Sequence, residues 1–115
     1  MKYKINYKSN DSVYYLNKIN EFMKSQGYTY KRHDHPHILY TREDFDNPEE
    51  IINFEINYEN KYIIKYITNK EAGDHWDINF TTDELKFFDL LDYEVESVYR
   101  GDVISQDITD WVDES

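Results

Sequence analysis

Residues 53–68 read NFEINYENKYIIKYIT, and the alternation in this stretch decides the fold class. Apolar or aromatic side chains occupy every second position from Phe54 to Tyr58 and again from Tyr62 to Tyr66. The polar residues 59–61 separate the two runs. A period of two on both sides of a short polar turn predicts an antiparallel β-hairpin.

A strand and a helix are predicted before the hairpin. Residues 2–8 alternate between apolar and polar side chains, which is typical of a half-buried strand. Residues 9–12 offer several N-cap side chains, and an apolar stripe at helical spacing follows from Tyr15 to Met23. Gly27 is the expected C′ residue that ends this helix.

The segment between this helix and the hairpin reads as two short strands. They are predicted at residues 28–30 and 37–41, with the polar cluster 31–36 interrupting the sheet between them. Residues 42–48 are predicted to be a loop, and Pro48 at its end is compatible with one helical turn over 47–50.

A strand and a second helix are predicted after the hairpin. Alternation from Trp76 to Phe80 predicts the strand. Thr81 and Glu84 have the spacing of a capping box, and an apolar stripe from Leu85 to Leu91 continues the helix. Residues 93–97 fit either a further strand or a longer helix.

These patterns predict one α+β domain over residues 1–115, with two helices packed on one face of a mostly antiparallel sheet of about five strands. Residues 101–115 contain five acidic and no basic residues. We expect this stretch to be either a short packed element or a frayed acidic tail.

Composition excludes several classes of protein. The chain has no cysteine, so it has no thiol nucleophile, disulfide framework or cysteine-ligated metal. It lacks a G-x-S-x-G elbow and a glycine-rich phosphate loop, and we expect no enzymatic activity and no cofactor. No apolar run approaches the ~18 residues of a membrane span. We therefore expect a soluble, cytoplasmic protein that does not bind membranes.

The charge of the chain is unevenly distributed. The net charge is -11, yet the stretch up to Arg42 holds eight basic and three acidic residues, and the remainder holds five basic and 21 acidic residues. A surface selected only for solubility would mix both signs. The acidic part should repel nucleic acid and attract a basic partner.

Two groups of acids are the candidate partner-binding residues. On a helix that runs past residue 92, acids three or four positions apart share one face; on a strand, alternate acids do. Either geometry arrays carboxylates several Å apart, as phosphates are arrayed on a nucleic-acid strand. The candidates are Glu43, Asp44, Asp46, Glu49 and Glu50, and Asp89, Asp92, Glu94 and Glu96.

The histidines are candidate metal ligands. His33, His35 and His37 alternate, and His75 is a possible distant ligand. Pro36 interrupts the run, and an H-E-x-x-H motif is absent. We therefore expect solvated loop histidines, with a small His-rich metal protein or hydrolase as the third of our functional hypotheses.

The composition suggests a biological setting. Ile, Asn, Lys, Tyr and Asp are frequent and have AT-rich codons, as in a low-GC bacterium or its phage. A small, acidic, tyrosine-rich domain without cysteine resembles phage-encoded inhibitors of host defence, including anti-CRISPR proteins and other DNA mimics. The resemblance implies a basic nucleic-acid-binding partner in the bacterial cytoplasm, such as a Cas effector nuclease. The alternative is an immunity or antitoxin protein that neutralises a basic toxin.

Overall fold

The computed structural model describes residues 1–9 and 12–99. Within this part of the chain there are six strands and two helices. In chain order they are β1 (Lys2–Lys4), α1 (Val13–Ser25), β2 (Thr29–Asp34), β3 (His37–Glu43), β4 (Glu50–Asn57), β5 (Tyr62–Asn69), β6 (His75–Asp77) and α2 (Thr82–Tyr99).

The strands form one antiparallel sheet in the order β1-β5-β4-β3-β2, and β6 also pairs with β5. Strands β1 and β6 lie end to end along one edge of β5, since Tyr3 is opposite Ile63 and Trp76 is opposite Ile67. On the other edge, β2 has an irregular register between Tyr30 and Arg32. The α+β class predicted from the sequence is confirmed.

Both helices pack on the same face of the sheet. The central hairpin contributes Phe54, Ile56 and Ile63 to the core, and these side chains are fully buried. The helices contribute Tyr15 and Phe88, which are equally inaccessible to solvent. Burial of this continuous apolar cluster is the main favourable contribution to folding.

The helix ends follow the sequence signals. Gly27 has φ +86°, and its N–H donates to the Lys24 carbonyl while the Tyr28 N–H donates to Met23, as in a Schellman motif. At the start of α2, the Glu84 N–H donates to Thr81 Oγ1 and the Thr81 N–H donates to Glu84 Oε1. The predicted C′ glycine and capping box are both confirmed.

The strand boundaries differ from the prediction in several places. Strand β2 continues through the polar cluster to Asp34, because an exposed edge strand needs no apolar alternation. Residues 47–50 form a single turn, in which the Glu50 N–H donates to the Asn47 carbonyl, but no helix follows because β4 begins at Glu50. Strands β1 and β6 are only three residues long, at Lys2–Lys4 and His75–Asp77.

The end of α2 resolves the alternative that the sequence left open. The helix continues to Tyr99, so the strand reading of residues 93–97 is wrong. The buried face continues at helical spacing through Leu91 and Val95, which pack in the core. The prediction for residues 101–115 lies outside the described residues. None of the described helices combines the length and the apolar character needed to cross a membrane.

Candidate partner-binding surface

The first group of predicted acids lies on one short loop between β3 and β4, and residues 43–50 are called the acidic loop below. The Asp44 N–H donates to the Glu50 carbonyl, which closes the loop at its base. Asp44 Oδ1 accepts the N–H of Asp46 at 2.9 Å, which shapes the tip. Asp46 and Glu49 are exposed, and Asp44 and Glu50 are partly exposed. The fold therefore brings all five predicted acids of this group together.

A second acidic turn lies beside the acidic loop. The Lys70 N–H donates to the Glu49 carbonyl, and its Nζ lies 3.3 Å from Glu43 Oε1. Glu71 and Asp74 follow Lys70 in the same turn and are exposed. One cation thus joins two segments that together carry seven carboxylates, so this end of the molecule stays strongly negative.

Phe45 is an apolar side chain at the tip of the acidic loop, with 79% of its surface exposed. The guanidinium of Arg42 lies 4.4 Å from the Phe45 ring centroid and 4.5 Å from that of Tyr28. Arg42 also donates to the Gln26 carbonyl, at the end of α1. The Phe45 ring therefore lies on the guanidinium of a side chain that is itself fixed, while most of its surface stays exposed to solvent.

The second group of predicted acids lies on α2, and three of the four contact the N-terminal segment. Tyr3 Oη lies 2.8 Å from Asp89 Oδ1 and 2.6 Å from Asp92 Oδ2. The Lys8 N–H donates to Glu96. These carboxylates share one helix face as expected, but that face is turned toward residues 3–8 and fastens them to the domain.

Asp92 is the most enclosed of these acids, with 6% of its surface exposed. Burial raises its pKa above the ordinary value of 3.8, and hydrogen bonds from Tyr3 and from the Asn6 N–H act in the opposite direction. Burial and the bonds to Asp92 and Asp89 likewise raise the pKa of the Tyr3 hydroxyl. Asp92 therefore acts inside the fold, while Asp89 remains exposed and Glu94 half-buried.

The two acidic groups are not contiguous. The acidic loop is next to the end of β5, where Glu50 is opposite Asn69, and the α2 acids contact Tyr3, which is opposite Ile63. Asn69 lies six positions along β5 from Ile63, which is about 20 Å at roughly 3.3 Å per residue. A single partner groove would engage the acidic loop without needing the α2 acids.

The four predicted metal candidates do not converge on one site. Among residues 1–9 and 12–99, no three side chains of the His, Cys, Asp and Glu types are placed to hold one ion. His33 and His35 both hydrogen-bond to Tyr58, whereas His37 is half-buried at the start of β3. His75 lies on β6, against the ring of Tyr66.

A shallow groove lies on the sheet face that is turned away from the helices. Its volume is about 460 Å³, and its lining mixes apolar, hydroxyl and charged side chains. The lining residues are Glu55, Ile64, Tyr66, Thr68, His75 and Asp77. A groove this open and this mixed in character does not by itself indicate a catalytic site.

Sequence reasoning missed two features of these surfaces. The sequence pattern assigns Phe45 only to the loop over residues 42–48, although a single aromatic residue among five acids is a signal for an interface anchor. Tyr58 was assigned only to a strand face, and its meeting with His33 and His35 depends on the pairing of β3 with β4. Neither neighbourhood can be read from local periodicity.

The chain matches no known protein family, no curated protein and no solved structure.

Proposed function

We propose that the protein is a non-catalytic inhibitor that docks its acidic loop in the nucleic-acid-binding groove of a basic protein. The observation that carries the proposal is the joint exposure of Asp46, Glu49 and the ring of Phe45 on one loop. The partner expected from its chemistry is a host-defence protein such as a Cas effector nuclease, in the bacterial cytoplasm.

Electrostatics supports a basic partner. Residues 43–50 contain five carboxylates and no basic residue, and Glu71 and Asp74 add to the same end of the molecule. A groove lined with Lys and Arg for a phosphate backbone would attract this end and accelerate association. DNA and RNA are themselves negatively charged, so the same surface disfavours direct binding to nucleic acid.

Phe45 supports a protein partner with a defined pocket. Interfaces concentrate their binding energy in a few aromatic or arginine anchors surrounded by polar residues. Phe45 has this arrangement, and its contact with Arg42 at 4.4 Å limits the ordering cost on binding. The carboxylates would determine the rate of approach and the orientation, and the ring would slow dissociation.

The α2 acids take a different role in this proposal. Asp92 is buried, and Glu96 accepts a backbone N–H, so both stabilise the N-terminal segment. Asp89 is exposed, and Glu94 and Glu96 are half-buried. We therefore assign partner binding to the acidic loop alone.

An immunity or antitoxin protein is the second candidate. An exposed aromatic side chain on an acidic loop also fits the substrate cleft of a basic toxin. Phe45 favours a partner with an apolar pocket over a groove that binds only phosphate groups. The two candidates differ in what competes for the partner, because only the first requires the partner to lose bound nucleic acid.

The test is capture from lysate of a low-GC bacterium at low salt, followed by competition with duplex DNA and with RNA. The bait is the wild-type chain, a D44K/D46K/E49K variant, and a control variant, E21K/D34K/D77K, with the same charge change at exposed positions elsewhere. We expect the wild type and the control to capture a nucleic-acid-binding protein that the loop variant does not capture. Added nucleic acid should displace this protein from the bait. Capture that is equal on all three baits contradicts it, and a toxin that nucleic acid does not displace supports the second candidate.

A further inference from the structure

Two histidines and a tyrosine meet at the exposed end of the β2–β3 hairpin. His33 Nε2 lies 2.8 Å from Tyr58 Oη, and His35 Nδ1 lies 2.6 Å from the same oxygen. The Tyr58 N–H donates to the Pro36 carbonyl at 3.2 Å, which joins the segment after β4 to the hairpin. Three donor atoms from two cross-linked segments therefore converge on one point.

Glu59 orients this cluster from outside. Its Oε2 lies 3.4 Å from His35 Nε2, so it favours a proton on that nitrogen and leaves Nδ1 as a lone pair. The Tyr58 O–H can then donate to His35, and His33 Nε2–H can donate to the tyrosyl oxygen. A histidine that binds a metal through one ring nitrogen usually donates the N–H of its other ring nitrogen to a carboxylate, and Glu59 is placed to accept in this way from His35.

We propose that His33, His35 and Tyr58 bind one divalent transition-metal ion, with Zn²⁺ and Cu²⁺ as the best-suited ions. Two imidazoles and a phenolate form a nitrogen and oxygen donor set of the kind that these ions accept. Because both ring nitrogens contact one oxygen, small side-chain rotations would bring all three atoms to metal-ligand distances of roughly 2.0–2.2 Å. Water would complete the coordination, since His35 is exposed to solvent.

Binding has a defined proton balance. Bonds form from the metal to His33 Nε2, His35 Nδ1 and Tyr58 Oη. The tyrosyl proton leaves to solvent, and the His33 proton moves to its Nδ1. Protons compete with the ion for all three donors, so the affinity falls as the pH is lowered. The site is independent of the acidic loop and departs from our sequence-based expectation of solvated loop histidines.

Titration of untagged, metal-free protein with ZnCl₂ and with CuCl₂ tests the proposal, by calorimetry and by ultraviolet difference spectra of tyrosinate. The wild type should bind one equivalent of metal. H33A and H35A should each weaken binding about tenfold or more, in line with losing one ligand of three. Y58F should remove the tyrosinate signal and weaken binding. H37A and H75A are matched controls and should bind as the wild type does.

Three results would overturn the site. One is wild-type binding no tighter than that of the H33A/H35A double variant. Another is binding that follows H75A or H37A instead. The third is a tyrosinate signal that persists in Y58F. Circular dichroism of each variant confirms that it is folded, which is expected because His33 and His35 are exposed.

Discussion

Lys65 on β5 donates to both carboxylate oxygens of Glu84 in the first turn of α2, at 2.9 and 3.2 Å. Both side chains are buried, and Glu84 Oε1 also accepts the Thr81 N–H of the capping box. One carboxylate thus caps the N-terminus of α2 and ties the helix to the centre of the sheet. A buried charge whose partner is removed is costly, so this pair should be sensitive to single substitutions.

Lys65→Met should lower the free energy of unfolding by about 3–5 kcal/mol, because it leaves Glu84 buried without its cation. Adding Glu84→Gln should recover part of that loss, since glutamine keeps the capping box without the charge. Urea denaturation of the single and double variants measures both effects.

Lys86→Met on the exposed side of α2 is the matched control and should change stability by less than about 0.5 kcal/mol. Equal stabilities of the Lys65→Met and Lys86→Met variants would contradict a structural role for the buried pair.

Asp92→Asn should alter how stability depends on pH. The folded pKa of Asp92 is raised, so the native state takes up this proton more readily than the unfolded state. This group therefore adds stability below its ordinary value of 3.8 and loses that contribution as the pH rises through the raised pKa. The stability of the wild type relative to Asp92→Asn should fall as the pH rises from about 4 to 7.

Denaturation of both proteins at several pH values measures this difference. Asp46→Asn is the control, because Asp46 is an exposed acid on the acidic loop, away from Asp92. A wild-type curve that runs parallel to the Asp92→Asn curve would exclude a raised pKa at Asp92.

Phe45→Ala should separate binding from stability. The ring is 79% exposed, so its removal should cost less than about 0.5 kcal/mol of folding free energy. Loss of an interface anchor should weaken binding to the captured partner by more than about tenfold, mainly through faster dissociation. Leu90→Ala, at another exposed apolar residue, should leave the affinity unchanged. Equal affinities for the two variants would remove Phe45 from the interface.

Salt should slow the association of the wild type with its partner. Raising NaCl from about 50 to 300 mM should reduce the association rate about tenfold or more, because screening shortens the range of the acidic field. The D44K/D46K/E49K variant should associate slowly at both concentrations. Surface plasmon resonance measures these rates, and an association rate that salt leaves unchanged would exclude electrostatic steering.

Local patterns predicted the parts of the fold that depend on local physics. The β4–β5 hairpin follows from the alternation over residues 54–58 and 62–66, and the helix ends follow from Gly27 and the Thr81–Glu84 capping box. Strand β2 was underestimated because an edge strand exposed on both faces needs no apolar period. The end of α2 was ambiguous because Val95 fits both a helical and an alternating pattern.

The long-range contacts of the site were beyond local reasoning. Tyr3 and Asp92 are 89 positions apart in the sequence, and they contact each other in the fold. Asp92, which was predicted to bind a partner, is therefore buried. The separation of the acidic loop from the α2 acids likewise depends on how β5 pairs on both of its edges. The grouping of the five acids of the acidic loop was predictable because they are adjacent in sequence.

The register irregularity of β2 bears on how the protein behaves when it is abundant. Strand β2 has β3 on one side only, and Lys31 sits at the irregularity next to Arg32. An irregular edge strand that carries positively charged side chains pairs poorly with the backbone of a second copy. Pairing of β2 with a strand of a second copy is therefore disfavoured.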